Sequence, residues 1–408
     1  MTPADRSAQP ASRASPGNLG EVFSAFLKMG VSCFGGPVAH LGYFHREFVE
    51  KRRWLDDAAY ADIVALCNFL PGPASSQTVF ALGMHRAGIL GAIVASLCFT
   101  LPSAALMIAL AYGVAHGNIE NAGWLHGLKL AAVAVVAQAV WSMGVKLCPD
   151  RERLTMCIVS AALLLAFPGA VIQIGVIAAG ALAGWALYRK TAQKAPAVAQ
   201  NYARSAQIWG AAALILFAVA LVALPVVSSA TGSKSVAEFD SFYRSGSLVF
   251  GGGHVVLPLL RAEVVPRGWV SDDQFLAGYG AAQALPGPLF TFSAYLGAVM
   301  TPGPRAWLGG LWCLFAIFLP AWLLIGGALP FWHRLRAKSW AQAGLCGANA
   351  AVVGVLLAAL YNPVFSTSVH NLADVAAALV AFGLLVAWKV PPWVVVILAA
   401  AAGQWLLR

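Results

Sequence analysis

Two basic residues stand inside apolar segments, at equivalent places in two related stretches of the chain. Lys28 lies six residues before the FGGP sequence at 34–37, and Arg244 lies six residues before the FGGG sequence at 250–253. A Lys or Arg at the centre of a membrane helix costs about 2.5–3.5 kcal/mol on insertion scales, so it usually faces a cavity or a partner. Two symmetrical cations suit a ligand with two negative charges. The alternative for Lys28 is snorkelling towards a headgroup region, because it lies only a few turns from the polar N-terminal tail.

Breaks in the apolar segments supply a second kind of candidate ligand, the backbone itself. The FGGP sequence at 34–37 is followed by LPGP at 70–73, and FGGG at 250–253 is followed by LPGP at 285–288. Pro disrupts a helix, and Gly tolerates unusual dihedral angles. Broken backbone at membrane depth is tolerated only where it is buried in protein or lines a wet cavity. A helix that restarts there points free N–H groups and a partial positive charge at the cavity, which predicts anion binding. The alternative is that these residues only kink helices or allow close packing.

Polar side chains flank the two LPGP breaks at matching positions. Asn68 and Gln283 each precede the Pro-Gly-Pro sequence by three residues, where they either donate amides to ligand oxygens or cap a broken helix. The hydroxyl side chains that follow the breaks are those of Ser75, Ser76, Thr291 and Ser293. For each hydroxyl alone, a helix cap is the commoner role.

Lys129 is a third basic residue within an apolar segment, and its counterpart in the second stretch is Asn349. A third anion ligand and a local partner for a carboxylate such as Glu120 both remain open for it. The candidate substrate-binding residues are therefore Lys28, Gly35, Gly36, Asn68, Pro71, Gly72, Ser75, Ser76, Lys129, Arg244, Gly251, Gly252, Gln283, Pro286, Gly287 and Thr291.

Other chemistry is not indicated. Glu47 and Glu263 match each other among basic residues, which favours salt-bridged or solvated carboxylates over proton coupling. The eight histidines and seven cysteines have no metal-ligand or paired spacing, so we expect neither a metal nor a disulfide. No GxxxxGK[ST] phosphate cradle and no credible Ser/His/Asp set occur. No cofactor and no enzymatic activity are predicted.

The elements that must position these residues form a repeat. FxxFLKMGxxxFGGP at 23–37 returns as FxxFYRSGxxxFGGG at 239–253, displaced by 216 residues. Downstream, Trp54 recurs as Trp269 and Pro102 as Pro320. Paired, interrupted hydrophobic segments in two halves are the best sequence indication of a transporter's binding site.

Composition makes lipid the solvent of this chain. Hydrophobic residues make up 60% and charged residues 10%, against roughly 25% charged in a typical soluble domain. The net charge of +10 is scattered between apolar segments, so no nucleic-acid partner is predicted. The uninterrupted candidate membrane segments are 87–115, 124–147, 154–168, 170–188, 207–230, 306–330, 340–361, 371–388 and 392–407, and the interrupted ones are 19–44, 60–84, 238–260 and 275–300. The predicted fold is an all-α polytopic membrane protein.

The predicted organisation is a polar tail (1–17), a first repeat (18–188), a basic linker with one extra membrane helix (189–237) and a second repeat (238–408). Each repeat has an even number of segments, so the extra crossing inverts the second repeat. If the interrupted segments re-enter without crossing, 18 of the 26 Lys and Arg residues lie on one side. The positive-inside rule makes that side cytoplasmic, together with the N-terminus.

The motifs also carry a family resemblance. FGGP paired with LPGP, the turns at 54–56 (WLD) and 269–271 (WVS), and the RAG sequence at 86–88 leading to FTLPS at 99–103 resemble the chromate ion transporter family, in its long, two-domain form. The likeness covers about 20–388. It implies a bacterial inner-membrane carrier that exports chromate and confers resistance, with sulfate as a competitor.

Two alternatives to this expectation remain. One is an importer of sulfate or another oxyanion, coupled to H⁺ or Na⁺. The other is a membrane-embedded enzyme acting on phosphorylated lipid, for which the sequence offers no nucleophile or metal cluster. The second repeat departs from the first, with Gly253 for Pro37 and Asn349 for Lys129, which leaves open whether both halves contribute equally. The oligomeric state is open too, a homodimer included.

Overall fold

The computed structural model describes residues 18–116, 123–190, 204–250, 253–332 and 338–405, and these form helices and connecting turns with no β-strand among them. The all-α prediction is confirmed. Candidate ligands Gly251 and Gly252, the N-terminal tail, Glu120 and most of the basic linker lie outside the described residues.

The helices of the first half and the connecting helix are α1 (Leu19–Ser32), α2 (Gly36–Phe44, continued by a π-helical turn at His45–Lys51), α3 (Asp57–Phe69), α4 (Ala74–His116), α5 (Gly123–Leu147), α6 (Arg151–Ala166), α7 (Ala170–Tyr188) and α8 (Arg204–Thr231). Those of the second half are α9 (Lys234–Ser247), α10 (Val256–Val264, after a 3₁₀ turn at Gly253–Val255), α11 (Asp272–Ala282), α12 (Phe292–Met300, after a 3₁₀ turn at Leu289–Thr291), α13 (Ala306–Ala328, continued by Leu329–Phe331), α14 (Ser339–Ala359, continued by Leu360–Phe365 and Ser366–Ser368), α15 (Leu372–Val386) and α16 (Pro392–Trp405).

Six helices in the described part of the chain are long and apolar enough to cross a membrane. They are Ala74–Gly113, Gly123–Leu147, Val171–Tyr188, Arg204–Thr231, Ala306–Phe331 and Ser339–Ser368. Three other predicted spans, at 154–168, 371–388 and 392–407, form the helices α6, α15 and α16 of 16, 15 and 14 residues. These are shorter than the roughly 20 residues that a perpendicular crossing needs.

The helix breaks occur where Gly and Pro predicted them. α1 ends at Ser32 before α2, α3 ends before α4 at 70–73, and the second half repeats both interruptions. Gly35, Gly72 and Gly287 have φ values of 96°, 120° and 94°, in the left-handed region that favours glycine. The predicted boundary at 87 is a kink inside α4, where Ala87 and Gly88 leave helical geometry.

Each interrupted segment folds back on itself as a hairpin. In the first half, Trp54 follows the return arm of the first hairpin, and its Nε1 donates to Glu21 Oε1 near the start of α1, at 2.8 Å. Arg86, on the return arm of the second hairpin, donates through Nη2 to Glu21 Oε2 at 2.7 Å. The open ends of both hairpins therefore meet. We call this end of the molecule the first face.

The hairpins of the second half open at the other end. Lys234, at the start of α9, donates through Nζ to Met300 O at the end of α12, at 2.8 Å. Tyr112, near the end of α4, donates through its hydroxyl to Pro304 O in the same region, at 3.0 Å. We call this end the second face. α4 runs from the first face to the second, and its stretch from Ile89 to Tyr112 is about 35 Å long.

α13 makes the opposite journey. It begins at Ala306, two residues after Pro304, and beyond its end Trp332 Nε1 donates to Asp62 Oδ1 on α3 at 2.9 Å. α4 and α13 therefore run in opposite directions. The hairpins of the first half open at the first face, and those of the second half open at the second face.

The two halves also exchange helices. α6 and α7 of the first half pack on α14 of the second, whereas α15 and α16 pack on α5 of the first. Glycines line both contacts: a Cβ on Gly184 would lie 2.6 Å from Gly347 Cα, and a Cβ on Gly127 would collide with Ala399 O. Small residues let membrane helices approach this closely.

Candidate functional site

The tips of the four hairpins meet, and they are joined by one contact made twice. The N–H of Gly72, in the first LPGP, donates to Val249 O at 2.7 Å. The N–H of Gly287, in the second LPGP, donates to Cys33 O at 2.9 Å. Gly72 and Gly287 are repeat equivalents, and so are Cys33 and Val249. Each Pro-Gly-Pro tip is therefore bonded to the Phe-Gly-Gly tip of the opposite half.

Packing at the tips is reciprocal as well. A Cβ on Gly72 would lie 3.4 Å from the Cβ of Ala321, one residue after Pro320 of α13. A Cβ on Gly287 would lie 2.9 Å from Oγ of Ser103, one residue after Pro102 of α4. These two N–H groups, predicted as anion donors, are used within the protein in this conformation. Anion binding by Gly72 and Gly287 stays a prediction.

Buried polar groups surround the first LPGP tip. Gln77 is fully buried; its Nε2 donates to Pro71 O at 2.8 Å, and its Oε1 has no hydrogen-bond partner within the described ranges. Ser76 Oγ is likewise buried and unpartnered there. Ser75 is buried beside it. Gln77 was not among the predicted site residues, although a Gln four residues after Pro-Gly-Pro, next to two serines, was a usable signal.

At the second LPGP tip the hydroxyl groups form a chain. Ser103 Oγ donates to Thr291 Oγ1 at 3.2 Å, and Thr291 Oγ1 donates to Pro288 O, beside Pro286 and Gly287, at 2.8 Å. Ser103 belongs to α4 of the first half, so this chain crosses between halves. Ser103 was not predicted as a site residue, because no local pattern in the chain connects it with Thr291. Ser293 donates to Phe290 O at 2.7 Å, as a local cap.

The two amide side chains differ. Asn68 is exposed, and its Nδ2 donates to Val64 O one turn earlier in α3, at 2.9 Å. Gln283 Nε2 is buried, and no acceptor for it occurs in the described part of the chain. Gln283 therefore keeps a free donor near its break, whereas Asn68 bonds to its own helix.

The two predicted cations lie in matching ion pairs. Lys28 Nζ is 3.6 Å from Glu47 Oε2, and Arg244 Nη1 donates to Glu263 Oε1 at 2.8 Å. Arg244 also donates to both carboxylate oxygens of Asp240, at 3.0 and 2.9 Å. The salt-bridged interpretation of the two glutamates is correct for this conformation. Neither cation is free, and each is neutralised by a carboxylate of its own repeat.

Glu47 stays ionised in this arrangement. Burial acts to raise the pKa of its carboxyl, but the hydrogen bond from Arg52 at 2.9 Å and the charge of Lys28 outweigh burial and hold the pKa below its ordinary value. The ionised Glu47 is shared by Lys28, Lys51 and Arg52, so it offsets only part of the charge of Lys28.

Lys129 is paired at the second face. Its Nζ donates to Asp273 Oδ1 at 2.9 Å, in the first turn of α11. The tip of that hairpin lies beyond Ala282, about 14 Å further along α11. Asp273 is thus a carboxylate partner that the sequence did not single out. In the other half, the buried Oδ1 of Asn349 has no described partner.

The arrangement is suited to holding a small polar ligand rather than to transforming one. Oppositely opening hairpins bring buried hydroxyl and amide groups to one level between the faces, with cations on the same hairpins. Within the described residues, no group of three or more His, Cys, Asp or Glu side chains is placed to hold a metal ion.

Comparison with known proteins gives a consistent family. The family model described as "Chromate transporter" matches residues 20–185 and 236–404. A chromate transport protein of Pseudomonas aeruginosa is 34% identical over 409 residues, which cover 96% of this chain and 93% of the relative. A probable chromate transport protein of Synechococcus elongatus is 28% identical, covering 95% of each chain. A chromate transport protein of Cupriavidus metallidurans is 26% identical, covering 91% of this chain and 88% of the relative. No solved structure matches the chain.

Proposed function

The chain belongs to the chromate transporter family, and we propose that it exports chromate from the cytoplasm by alternating access. The observation that carries this proposal is the reciprocal pair of hydrogen bonds from Gly72 to Val249 and from Gly287 to Cys33. It joins hairpins that open to opposite faces at one level of the molecule. A carrier needs such a place, because one site must be reached from either side in turn.

The substrate chemistry is that of a tetrahedral dianion that only accepts hydrogen bonds. Lys28 and Arg244 supply the compensating charge, and the peptide and hydroxyl groups of the tips supply donors. We keep the full set of candidate ligands from the sequence as the proposed site. Sulfate has the same shape and charge as chromate, so it is the expected competitor.

When no substrate is bound, Lys28 and Arg244 need another source of negative charge. Glu47 and Glu263 fill that role, because each neutralises the cation that the substrate would otherwise meet. A bound dianion competes with these carboxylates for Lys28 and Arg244. Leaving a buried charge unpaired is costly, and this competition keeps the partly buried Arg244 compensated both with and without substrate.

Export is driven by the membrane potential, by proton antiport or by both, and the potential alone is sufficient. A potential of 100 mV, negative inside, is worth about 2.3 kcal/mol for each charge that crosses. A dianion is thus driven outward by nearly 5 kcal/mol, equivalent to more than three decades of concentration. Import of the same ion would work against this gradient.

The proposed orientation puts the first face in the cytoplasm of a bacterial cell, with the protein in the inner membrane. The distribution of basic residues supports it: 18 of 26 fall on that side if the hairpins re-enter. The contacts of Trp54 and Arg86 with Glu21 support re-entry, because both ends of each hairpin lie at one face.

An oxyanion importer coupled to H⁺ or Na⁺ is the second candidate. One observation favours it: Asp374 is fully buried, and His126 Nε2 lies 2.7 Å from its Oδ1. Paired ionisable groups between the helices of a carrier are typical of ion-coupling pathways, and import of a dianion would require a coupling ion.

Transport into inverted membrane vesicles tests the proposal. Vesicles carrying the protein should accumulate labelled chromate when the interior potential is positive, with no pH or sodium gradient. Control vesicles without the protein should not. If transport instead requires a pH gradient and moves chromate out of the inverted vesicles, the exporter is refuted and the importer is supported.

A further inference from the structure

A small pocket lies beside Arg244, between α7 of the first half and α9 and α10 of the second. It is lined by Gln173, Ile174, Arg244, Ser245, Leu248, Leu259 and Glu263. Gln173 is 4% exposed and Ser245 is 2% exposed. Gln173 Nε2 and Ser245 Oγ have no hydrogen-bond partner among the described residues. A buried polar group that stays unpaired is costly, so a hydrogen-bond partner from outside the chain is expected here.

Arg244 adds a further unused donor to this pocket. Its Nε donates to Asp240, its Nη2 donates to Asp240 and Glu263, and its Nη1 donates to Glu263. A guanidinium has five N–H groups. One N–H on Nη1 is therefore left over within the described contacts. The pocket combines this N–H with the Gln173 amide and the Ser245 hydroxyl.

This inventory points to an acceptor as the occupant. The unused groups of Arg244 and Gln173 are donors, and the Ser245 hydroxyl donates as well. The space holds about one water-sized group, which is the size of a single oxygen atom of an oxyanion. We propose that this pocket seats one oxygen of the transported oxyanion, held by Arg244, Ser245 and Gln173. The inference rests on the proposed function and assigns Gln173 and Ser245 as specificity-determining residues.

The first half does not repeat the two polar side chains of this pocket at the equivalent positions. Ser245 corresponds to Met29, which is buried and contacts the Cys33 thiol. Aligning the turns at Pro168 and Pro391 makes Val396 of α16 the counterpart of Gln173. Among the described residues, this polar pair is therefore present beside Arg244 and is not repeated beside Lys28. The anion is held on the second-half side, although the sequence repeat suggests two equal ligand sets.

Glu263 lines the same pocket and opposes the anion there. Its charge and that of Asp240 are balanced by Arg244 and by Arg267, whose Nη2 donates to Glu263 at 3.1 Å. An oxyanion oxygen in the pocket accepts the N–H of Arg244 Nη1 that Glu263 leaves unused. The anion and Glu263 therefore share one guanidinium, and the repulsion between them limits the affinity and favours release of the anion.

Two substitutions test the seat. Gln173→Met keeps the side-chain length but removes the amide, and Ser245→Ala removes the hydroxyl. For each we expect the KM for chromate in inverted vesicles to rise about tenfold, with the maximal rate within about twofold, as for the loss of one hydrogen bond to a charged ligand. Equilibrium binding of labelled chromate to purified protein should weaken by the same factor. Gln138→Met is the matched control: Gln138 lies on α5, bonded to Leu385 O.

The outcomes separate the two proposals. If the wild-type protein moves no chromate, the proposed function fails. If wild-type transport is normal and both variants, folded by size-exclusion profile, keep the KM of the control, the pocket holds only water and the seat is refuted. If Gln173→Met does not fold, Ser245→Ala alone decides, because it is the smaller change.

Discussion

Lys28 and Arg244 occupy the same position in the two repeats, yet their surroundings differ. The Lys28 side chain is 57% exposed and approaches Glu47 at 3.6 Å. The Arg244 side chain is 19% exposed and donates four hydrogen bonds to two carboxylates. Charge-assisted, bidentate contacts of a planar guanidinium are stronger and more specific than a long ammonium contact. Duplication thus preserved the position of the cation, whereas its strength and geometry diverged.

The carboxylate networks diverged in the same sense. In the first half, Glu21 at the first face accepts hydrogen bonds from Trp54 and Arg86. Its counterpart in the second half is Ala237. The second half instead carries Asp240 deeper along its hairpin, where the first half has Ser24. Of these two carboxylates, Glu21 lies at the hairpin mouth of the first half and Asp240 lies nearer the tip in the second half.

The prediction with the largest expected effect concerns the membrane orientation of the two halves. The comparison of Lys28 with Arg244 assumes that the halves are inverted relative to each other. Reporter fusions at residues 195 and 235 should report opposite sides of the membrane, since α8 crosses once between them. Alkaline phosphatase and fluorescent-protein fusions at each position measure this directly. Two fusions active on the same side would contradict the inversion.

Next in size is the contrast between the two cations. Arg244→Ala should abolish chromate transport and destabilise the protein by about 3–5 kcal/mol, because the buried Asp240 would lose its cationic partner and Glu263 would keep only Arg267. Lys28→Ala should also impair transport but change stability by less than about 1 kcal/mol, because Lys28 is exposed and Glu47 keeps Arg52 and Lys51 as partners. Vesicle transport and thermal unfolding in detergent are the measurements. Equal loss of stability in both variants would show that the two pairs are equivalent after all.

The crossed contacts at the tips should respond alike. Gly72→Ala and Gly287→Ala each place a side chain at positive φ, which costs about 1–3 kcal/mol, and each disturbs the hydrogen bond to the opposite half. We expect transport to fall by about tenfold in both. Gly232→Ala is a control, because Gly232 also has positive φ but nothing lies within 4 Å of its Cβ position. If only one of the two variants lost transport, the two tip contacts would not be functionally equivalent.

The smallest expected effect separates the two glutamates. Glu263→Gln removes a competitor for Arg244, so the KM for chromate should fall about threefold. Glu47→Gln should change the KM by less than about twofold, because Lys28 is solvated. Initial rates over a chromate series measure both. A higher KM in Glu263→Gln would mean that the carboxylate orients Arg244 rather than competing for it.

Much of the fold was predictable, because Gly and Pro interrupt the apolar segments and the interruptions recur. The breaks around Gly35, Gly72 and Gly287 follow from local chemistry alone. The partners of those glycines did not follow, since the Val249 and Cys33 carbonyls belong to opposite halves. Likewise, nothing near Gln173 in the chain connects it with Arg244. Contacts between helices that exchange across the repeat are set by packing, which a local pattern does not encode.

The exchanged helices have a consequence for any chain made of a single repeat. Alone, such a chain would expose to the lipid acyl chains the glycine-containing helix surface, on α5 or on α14, that is otherwise covered by helices of the other half. It would fold fully only beside a second copy inserted upside down, whose terminal helix pair covers that surface. A chain of one repeat should therefore be degraded or inactive when it is synthesised by itself. Its transport activity should recover when a single-repeat chain of the opposite membrane orientation is expressed from a separate gene.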